Sequence, residues 1–186
     1  MQSKERLAEE IHSSNVMVGN YLEYIKILRQ YINKTPWEEF LLPIYFSLLN
    51  SMIIELYKIF DKSGSDTKEK NICALINLIN EKKKTGEIIN PHKELINNIY
   101  NLRNKYYAHN TGYDFKQLID ENKIKLHEIE NLQKDINKIC IMAYPNIYEN
   151  TTTKDVRELK RWIPYIDKLI QKEKINIDNK IIQGDH

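Results

Sequence analysis

In the run KERLAEEIHSSNVMVGNYLEYIKILRQYIN, Lys4 to Asn33, apolar residues recur at Leu7, Ile11, Val18, Tyr21, Ile25, Leu28 and Ile32, with Ser14 in the same register. That three-four spacing puts them on one face of a long helix. Working outward, Thr35-Pro36-Trp37-Glu38 reads as a cap, a proline in the first turn and a capping-box glutamate. It opens a second helix that runs to Phe60. This helix is almost wholly apolar from Leu48 to Ile54 and is expected to be the buried centre, with Pro43 kinking it or delaying its start. A polar loop, Asp61 to Asp66, leads to a short helix from Lys68 to Asn80 carrying Ile72, Leu75, Ile76 and Ile79. Lys82 to Gly86 reads as a solvated loop. Asn90-Pro91 then opens a fourth helix that ends near His109, where Thr111-Gly112 stops it.

A connection containing Phe115, Leu118 and Ile119 precedes a fifth helix from Ile124 to Tyr144. Its stripe is Ile129, Leu132, Ile136, Ile139 or Cys140, and Ala143. After a break from Pro145 to Thr153, a last helix carries Val156, Leu159, Ile163, Ile166 and Ile170, and a frayed tail follows Lys174. No strand pattern of similar strength and no repeat appears. The prediction is an all-α fold: an up-and-down bundle of four to five helices in residues 1–145, with a helical extension and tail in 146–186.

Composition narrows the function classes. A chain of 186 residues with 28 Lys+Arg against 26 Asp+Glu carries a formal charge of only +2, which removes the simplest case for a strongly basic nucleic-acid domain. Cys73 and Cys140 form no disulfide framework and no Cys-x-x-Cys pair, which favours a reducing compartment. Met1 to Glu10 is charged throughout and lacks an apolar signal core. The stretch Phe40 to Ile54 is interrupted by Pro43, Ser47, Asn50 and Ser51 and falls short of the ~20 apolar residues of a membrane span. A cytoplasmic location without membrane contact is expected.

Familiar catalytic signatures are missing. The five histidines are scattered, with no His-x-x-x-His pair and no cysteine cluster, so no metal and no cofactor is expected. The Asp61 loop has Gly64 at its fourth position where a calcium loop needs glycine at the sixth. No phosphate-binding glycine loop or nucleophile elbow occurs. One segment stands apart: Leu102-Arg103-Asn104-Lys105-Tyr106-Tyr107-Ala108-His109-Asn110, at the end of the fourth helix.

This segment resembles the Arg-Asn…His motif of the HEPN superfamily, in which four to six residues separate arginine from histidine. It looks most like the abortive-infection group. The passage from Glu55 to Asp61, followed by a polar loop and Ile72-Cys73-Ala74-Leu75-Ile76, is similar to the helix-two to helix-three passage of that group. The resemblance spans roughly Leu7 to Tyr144. Arg6 and His12 show the same spacing, but Leu7 follows the arginine and the pair sits mid-helix, so it reads as structural.

Helix geometry adds a constraint. Leu95, Ile99, Leu102, Tyr106 and His109 share one stripe, whereas Arg103 lies on the neighbouring stripe with Ile96, Tyr100 and Tyr107. Six residues at about 100° each leave Arg103 and His109 about 120° apart. They meet on one phosphate only if the helix unwinds near Ala108 or if two copies pair their fourth helices. The resemblance implies the second route, a homodimer with a composite cleft. Read from the residues alone, capping or packing a bundle end is the favoured role of the pair.

The resemblance implies a metal-independent endoribonuclease acting in phage defence or toxin-like arrest. Its catalytic residues would be Arg103, Asn104 and His109. Lys105, Tyr106, Tyr107, Asn110 and Tyr113 are the expected substrate-binding residues, the tyrosines by stacking bases. RNA is the expected partner, with an antitoxin or regulatory protein as a further one. The alternative is a catalytically silent HEPN protein that binds RNA or a partner protein. A plain helical interaction module would also suit the near-zero net charge.

Overall fold

The computed structural model describes residues 3–32, 38–61, 71–79, 81–108 and 124–147, together with 152, 153, 156, 158, 161, 163–165, 167–169, 171 and 172. Side chains at 38–40, 82 and 105–108 are outside that description. The described elements are α-helical: α1 Lys4–Arg29, α2 Glu38–Phe60, α3 Ile72–Leu78, α4 Lys82–Ile89, α5 Lys93–Ala108 and α6 Leu126–Ala143. A 3-10 turn, Asn90–His92, joins α4 to α5, and helical positions between 156 and 172 form α7. No strand occurs among the described residues, so the all-α expectation holds.

α1 starts where Ser3 caps it, the hydroxyl accepting the Arg6 amide at 3.2 Å. It packs against both α2 and α6. Its partners on α6 descend as its own numbers rise: His12 meets Asn137, Asn15 meets Gln133 and Lys26 meets Glu130, so the two helices are antiparallel. α2 buries one face, Leu49, Met52, Ile53, Leu56, Ile59 and Phe60, while Leu48, Asn50, Ser51 and Ile54 are half-buried. α2 is therefore buried along one face rather than around its circumference, although it lies against α1, α3 and α5. Pro43 lies inside α2. It is the sixth residue of the helix, so it removes the amide bond back to the carbonyl of residue 39, and the helix runs on past it to Phe60. The α6 stripe is buried as spaced, at Ile129, Leu132, Ile136, Ile139, Cys140 and Ala143.

The sequence reading places a loop at Lys82–Gly86, but this segment is the first half of α4. Thr85 is buried with its hydroxyl on the Glu81 carbonyl at 3.2 Å, and Ile88 and Ile89 pack against the core. Burial of those side chains outweighs the roughly 1 kcal/mol that a glycine costs in a helix. The helix expected to open at Asn90 instead begins at Lys93. Asn90 has helical backbone angles and supplies no side-chain cap, because α4 runs straight into the 3-10 turn.

The C-terminal segment docks on α1. The Thr153 amide donates to Asn20 Oδ1 at 2.8 Å, the Tyr31 hydroxyl donates to Asp167 Oδ1 at 2.8 Å, and Val156 is fully buried. Among the described residues no helix is long and apolar enough to cross a membrane. Cys140 is buried, which pushes its thiol up to about 12 and leaves it unreactive.

Candidate functional site

The site is built where the end of α2 meets the last turns of α5. A helix end leaves carbonyls without intrahelical donors, and here two side chains supply them. The Tyr100 hydroxyl donates to the Phe60 carbonyl, and Asn71 Nδ2 donates to the Asp61 carbonyl at 2.6 Å. Asn71 works at both ends of the connection, since its Oδ1 also caps α3 by accepting the Ala74 amide at 2.9 Å. This one buried asparagine therefore ties the finish of α2 to the start of α3.

Leu95, Ile99 and Leu102 bury the core stripe of α5, and Ile96, Tyr100 and Arg103 follow on its flank, each partly covered. Tyr100 meets the Tyr57 ring edge-on, with centroids 5.2 Å apart and planes at 76°. Burial, the nearby Asp61 carboxylate, the Tyr57 hydroxyl and the Cys73 thiol together push the Tyr100 hydroxyl up to about 12, so it stays a donor at neutral pH. The Tyr57 hydroxyl donates to Asp61 Oδ1 at 3.1 Å.

Arg103 lies over the face of that same ring, its Cζ 4.5 Å from the Tyr57 centroid. This is within the range of a cation–π contact. One guanidinium nitrogen also reaches Asn104 Oδ1 at 3.4 Å, a long bond between chain neighbours. Among the described residues no carboxylate pairs with Arg103. Lys58, one residue along from Tyr57, is already paired with Glu55 at 2.7 Å. The result is a cation held by a ring, with no carboxylate paired to it among the described residues.

Of the residues expected at the site, the structure brings Arg103 and Asn104 together on the last turns of α5. Lys105, Tyr106 and Tyr107 occupy helical positions there, with side chains outside the described part. His109, Asn110 and Tyr113 lie outside the described residues, as do the Thr35 cap and the Lys62–Asp66 part of the loop. α5 remains helical through Ala108. The sequence reading missed Tyr100 as a member of the site and took Tyr57 and Asp61 only as part of a passage. Two signals were available: Tyr100 stands three residues before Arg103 on one helix face, and Tyr57 stands four before Asp61 at a helix end.

Two clefts on the described surface lie elsewhere. One, of about 340 Å³, is lined by Pro91, His92, Glu94 and Lys125; beside it His92 Nε2 meets Asp135 Oδ2 at 2.8 Å. Burial pushes the Asp135 carboxyl up, but its bonds to His92 and Lys138 outweigh that and hold it below the usual range. The other, of about 530 Å³, runs between α1, α2 and α6. Among the described residues no group of three or more His, Cys, Asp or Glu is placed to hold a metal.

The Arg6/His12 pair is structural, as its context suggests. Arg6 is exposed and pairs with Glu10 at 3.3 Å, while His12 Nδ1 hydrogen-bonds Asn137 Oδ1 at 2.9 Å within the α1–α6 seam.

Comparison with known families places these features. A family model described as AbiU2, a HEPN family, matches residues 32–161. The match contains α2 to α6 and the whole Arg103-to-His109 segment, and it runs past Pro145 into α7, while α1 precedes it. No curated protein and no solved structure matches the chain. With the greater part of its length covered, including both passages that carried the resemblance, the chain belongs to the AbiU2 family of abortive-infection HEPN proteins.

Proposed function

We propose that this chain is a metal-independent endoribonuclease acting as a homodimer, with RNA as its substrate. The observation that carries the reading is Arg103, held at the end of α5 on the Tyr57 ring with no described carboxylate to neutralise it. A phosphate group that gains negative charge in its transition state is stabilised by such a preorganised donor.

The chemistry follows from residue types. His109 takes the proton of a ribose 2′-OH, the 2′-oxygen attacks the adjacent phosphorus, and the bond to the 5′-oxygen breaks. That oxygen leaves with a proton supplied by an imidazolium. The products are a 2′,3′-cyclic phosphate and a 5′-hydroxyl end. Imidazole titrates near neutrality and suits both proton steps. Arg103 neutralises charge on the non-bridging oxygens, and Asn104 orients the phosphate or the histidine. Lys105, Tyr106, Tyr107, Asn110 and Tyr113 are proposed to line the path of the strand. The unbroken helix to Ala108 supports pairing of two α5 helices over unwinding as the way to bring Arg103 and His109 to one phosphate.

The test is cleavage of a mixed single-stranded RNA in excess chelator by wild type, Arg103→Ala and His109→Ala, with oligomeric state measured alongside. Cutting that leaves cyclic-phosphate ends and disappears in both variants supports the reading. Equal cutting by wild type and His109→Ala removes His109 from the mechanism. Tight RNA binding without cutting favours the silent RNA binder, and a monomer at working concentration removes the composite cleft.

A further inference from the structure

Arg103 gains its placement from a residue 46 positions earlier on another helix, and that residue is itself held from two sides. The Tyr57 ring takes the edge of Tyr100, and its hydroxyl is anchored on Asp61 at 3.1 Å. Tyr100 is fixed in turn on the Phe60 carbonyl. The ring therefore has little freedom to swing away from Arg103. A contact through the ring face also differs from an ion pair in what it leaves available. It fixes the guanidinium through its flat face, so apart from the one nitrogen that reaches Asn104 Oδ1 the contact does not take up the N–H donors, whereas a carboxylate would occupy them.

We infer that Tyr57 is a positioning residue: its ring holds Arg103 where a phosphate of bound RNA is to be met, and Asp61 and Tyr100 fix the ring. The inference rests on the proposed RNA reading for the phosphate and on the observed contact for the positioning. A ring-face contact strengthens with the electron density of the ring and does not depend on the hydroxyl. Tyr57→Phe keeps the ring face and its edge contact with Tyr100 while losing the hydroxyl's anchor on Asp61, Tyr57→Leu removes the ring, and ring-fluorinated phenylalanines at position 57 weaken the face contact in steps while nearly keeping its shape.

The experiment measures binding of a fluorescent mixed-sequence single-stranded RNA in a His109→Ala background, so that no strand is cut. Variants at position 57 are compared with and without Arg103→Ala. The expected result is RNA affinity within about twofold for Tyr57→Phe, a graded fall with fluorination, and a loss of about 3- to 30-fold for Tyr57→Leu. With Arg103→Ala present, none of these changes should weaken binding further. Equal losses in both backgrounds, or affinity indifferent to fluorination, overturn the inference. The fluorinated series decides the matter even if Tyr57→Leu fails to fold.

A second readout separates this inference from the RNA reading. The Arg103 Nε–Hε resonance should be displaced by the ring current of Tyr57 and return to an ordinary position in Tyr57→Leu. A displaced resonance in a protein that binds no RNA leaves the positioning standing and removes the proposed substrate. An ordinary resonance in wild type removes the positioning itself.

Discussion

The chain carries the same arginine–histidine spacing twice, and the two copies have opposite surroundings. At the N-terminal one, Arg6 is exposed and tied to Glu10, and His12 turns into the α1–α6 seam to bond Asn137. At the other, Arg103 sits on an aromatic ring and meets no carboxylate among the described residues. Spacing is a property of one helix, whereas the state of each arginine is set by what lies across from it. The surroundings, more than the motif, separate a side chain used for packing from one available to a ligand.

The sharpest way to break this comparison is to remove each arginine in turn. Arg103→Ala should lower the rate of RNA cleavage by about 10²- to 10³-fold, as expected for loss of a preorganised donor. Arg6→Ala should change it less than about twofold, because an exposed i,i+4 pair contributes only about 0.3–0.5 kcal/mol. Comparable losses from the two variants, measured in single-turnover assays, would undo the distinction.

The next effect concerns the frame that presents Arg103. Asn71→Ala removes the cap of α3 and leaves the Asp61 carbonyl without its side-chain donor. Lost capping costs about 1 kcal/mol and an orphaned acceptor about 1–3 kcal/mol, so urea unfolding should show a loss of about 2–4 kcal/mol. Because the frame lies under Arg103, cleavage at saturating RNA should fall as well.

On the other side, the seam around His12 predicts a dependence on pH. Burial lowers the His12 pKa from its usual 6.5, more than the bond to Asn137 raises it. The folded state therefore takes up a proton less readily than the unfolded chain. His12's contribution to stability is complete above about pH 6.5 and is lost as the pH falls from there toward the lower folded value. Melting temperature between pH 7.5 and 5 should decline more steeply in wild type than in His12→Gln, and parallel curves would exclude His12 as the cause. The smallest effect is a control away from both regions. A Cβ at Gly86 meets nothing within 4 Å, so Gly86→Ala should raise stability by about 0.5–1 kcal/mol and leave RNA cleavage unchanged.

How much of this was legible beforehand varies with the kind of interaction. Ile129, Leu132 and Ile136 were readable as core because a repeat every three to four residues is a local property of an amphipathic helix. α4 was misread because Lys82, Lys83, Lys84 and Gly86 have loop-like composition. Only the packing of Ile88 and Ile89 and the burial of Thr85 make that segment a helix. The buried polar seam was invisible to periodicity. Asn15 Nδ2 donates to the Gln133 carbonyl at 2.9 Å and Gln133 Nε2 returns the bond to the Asn15 carbonyl at 3.1 Å, and both partners look like surface residues in a string. Arg103 and Asn104 were named from a motif, but nothing near them in the chain points to Tyr57.

By itself, the sequence determined the helical class, most helix positions, the HEPN relationship and the segment that carries the candidate chemistry. Those features depend on residues within a few turns of one another, and helix geometry converts such spacings directly into faces. The tertiary structure decided which face of α2 is buried, which polar groups are buried and which arginine is held on a ring with no carboxylate paired to it among the described residues. Each of those depends on partners brought together from tens to more than a hundred residues away, and distance along the chain carries no record of that pairing.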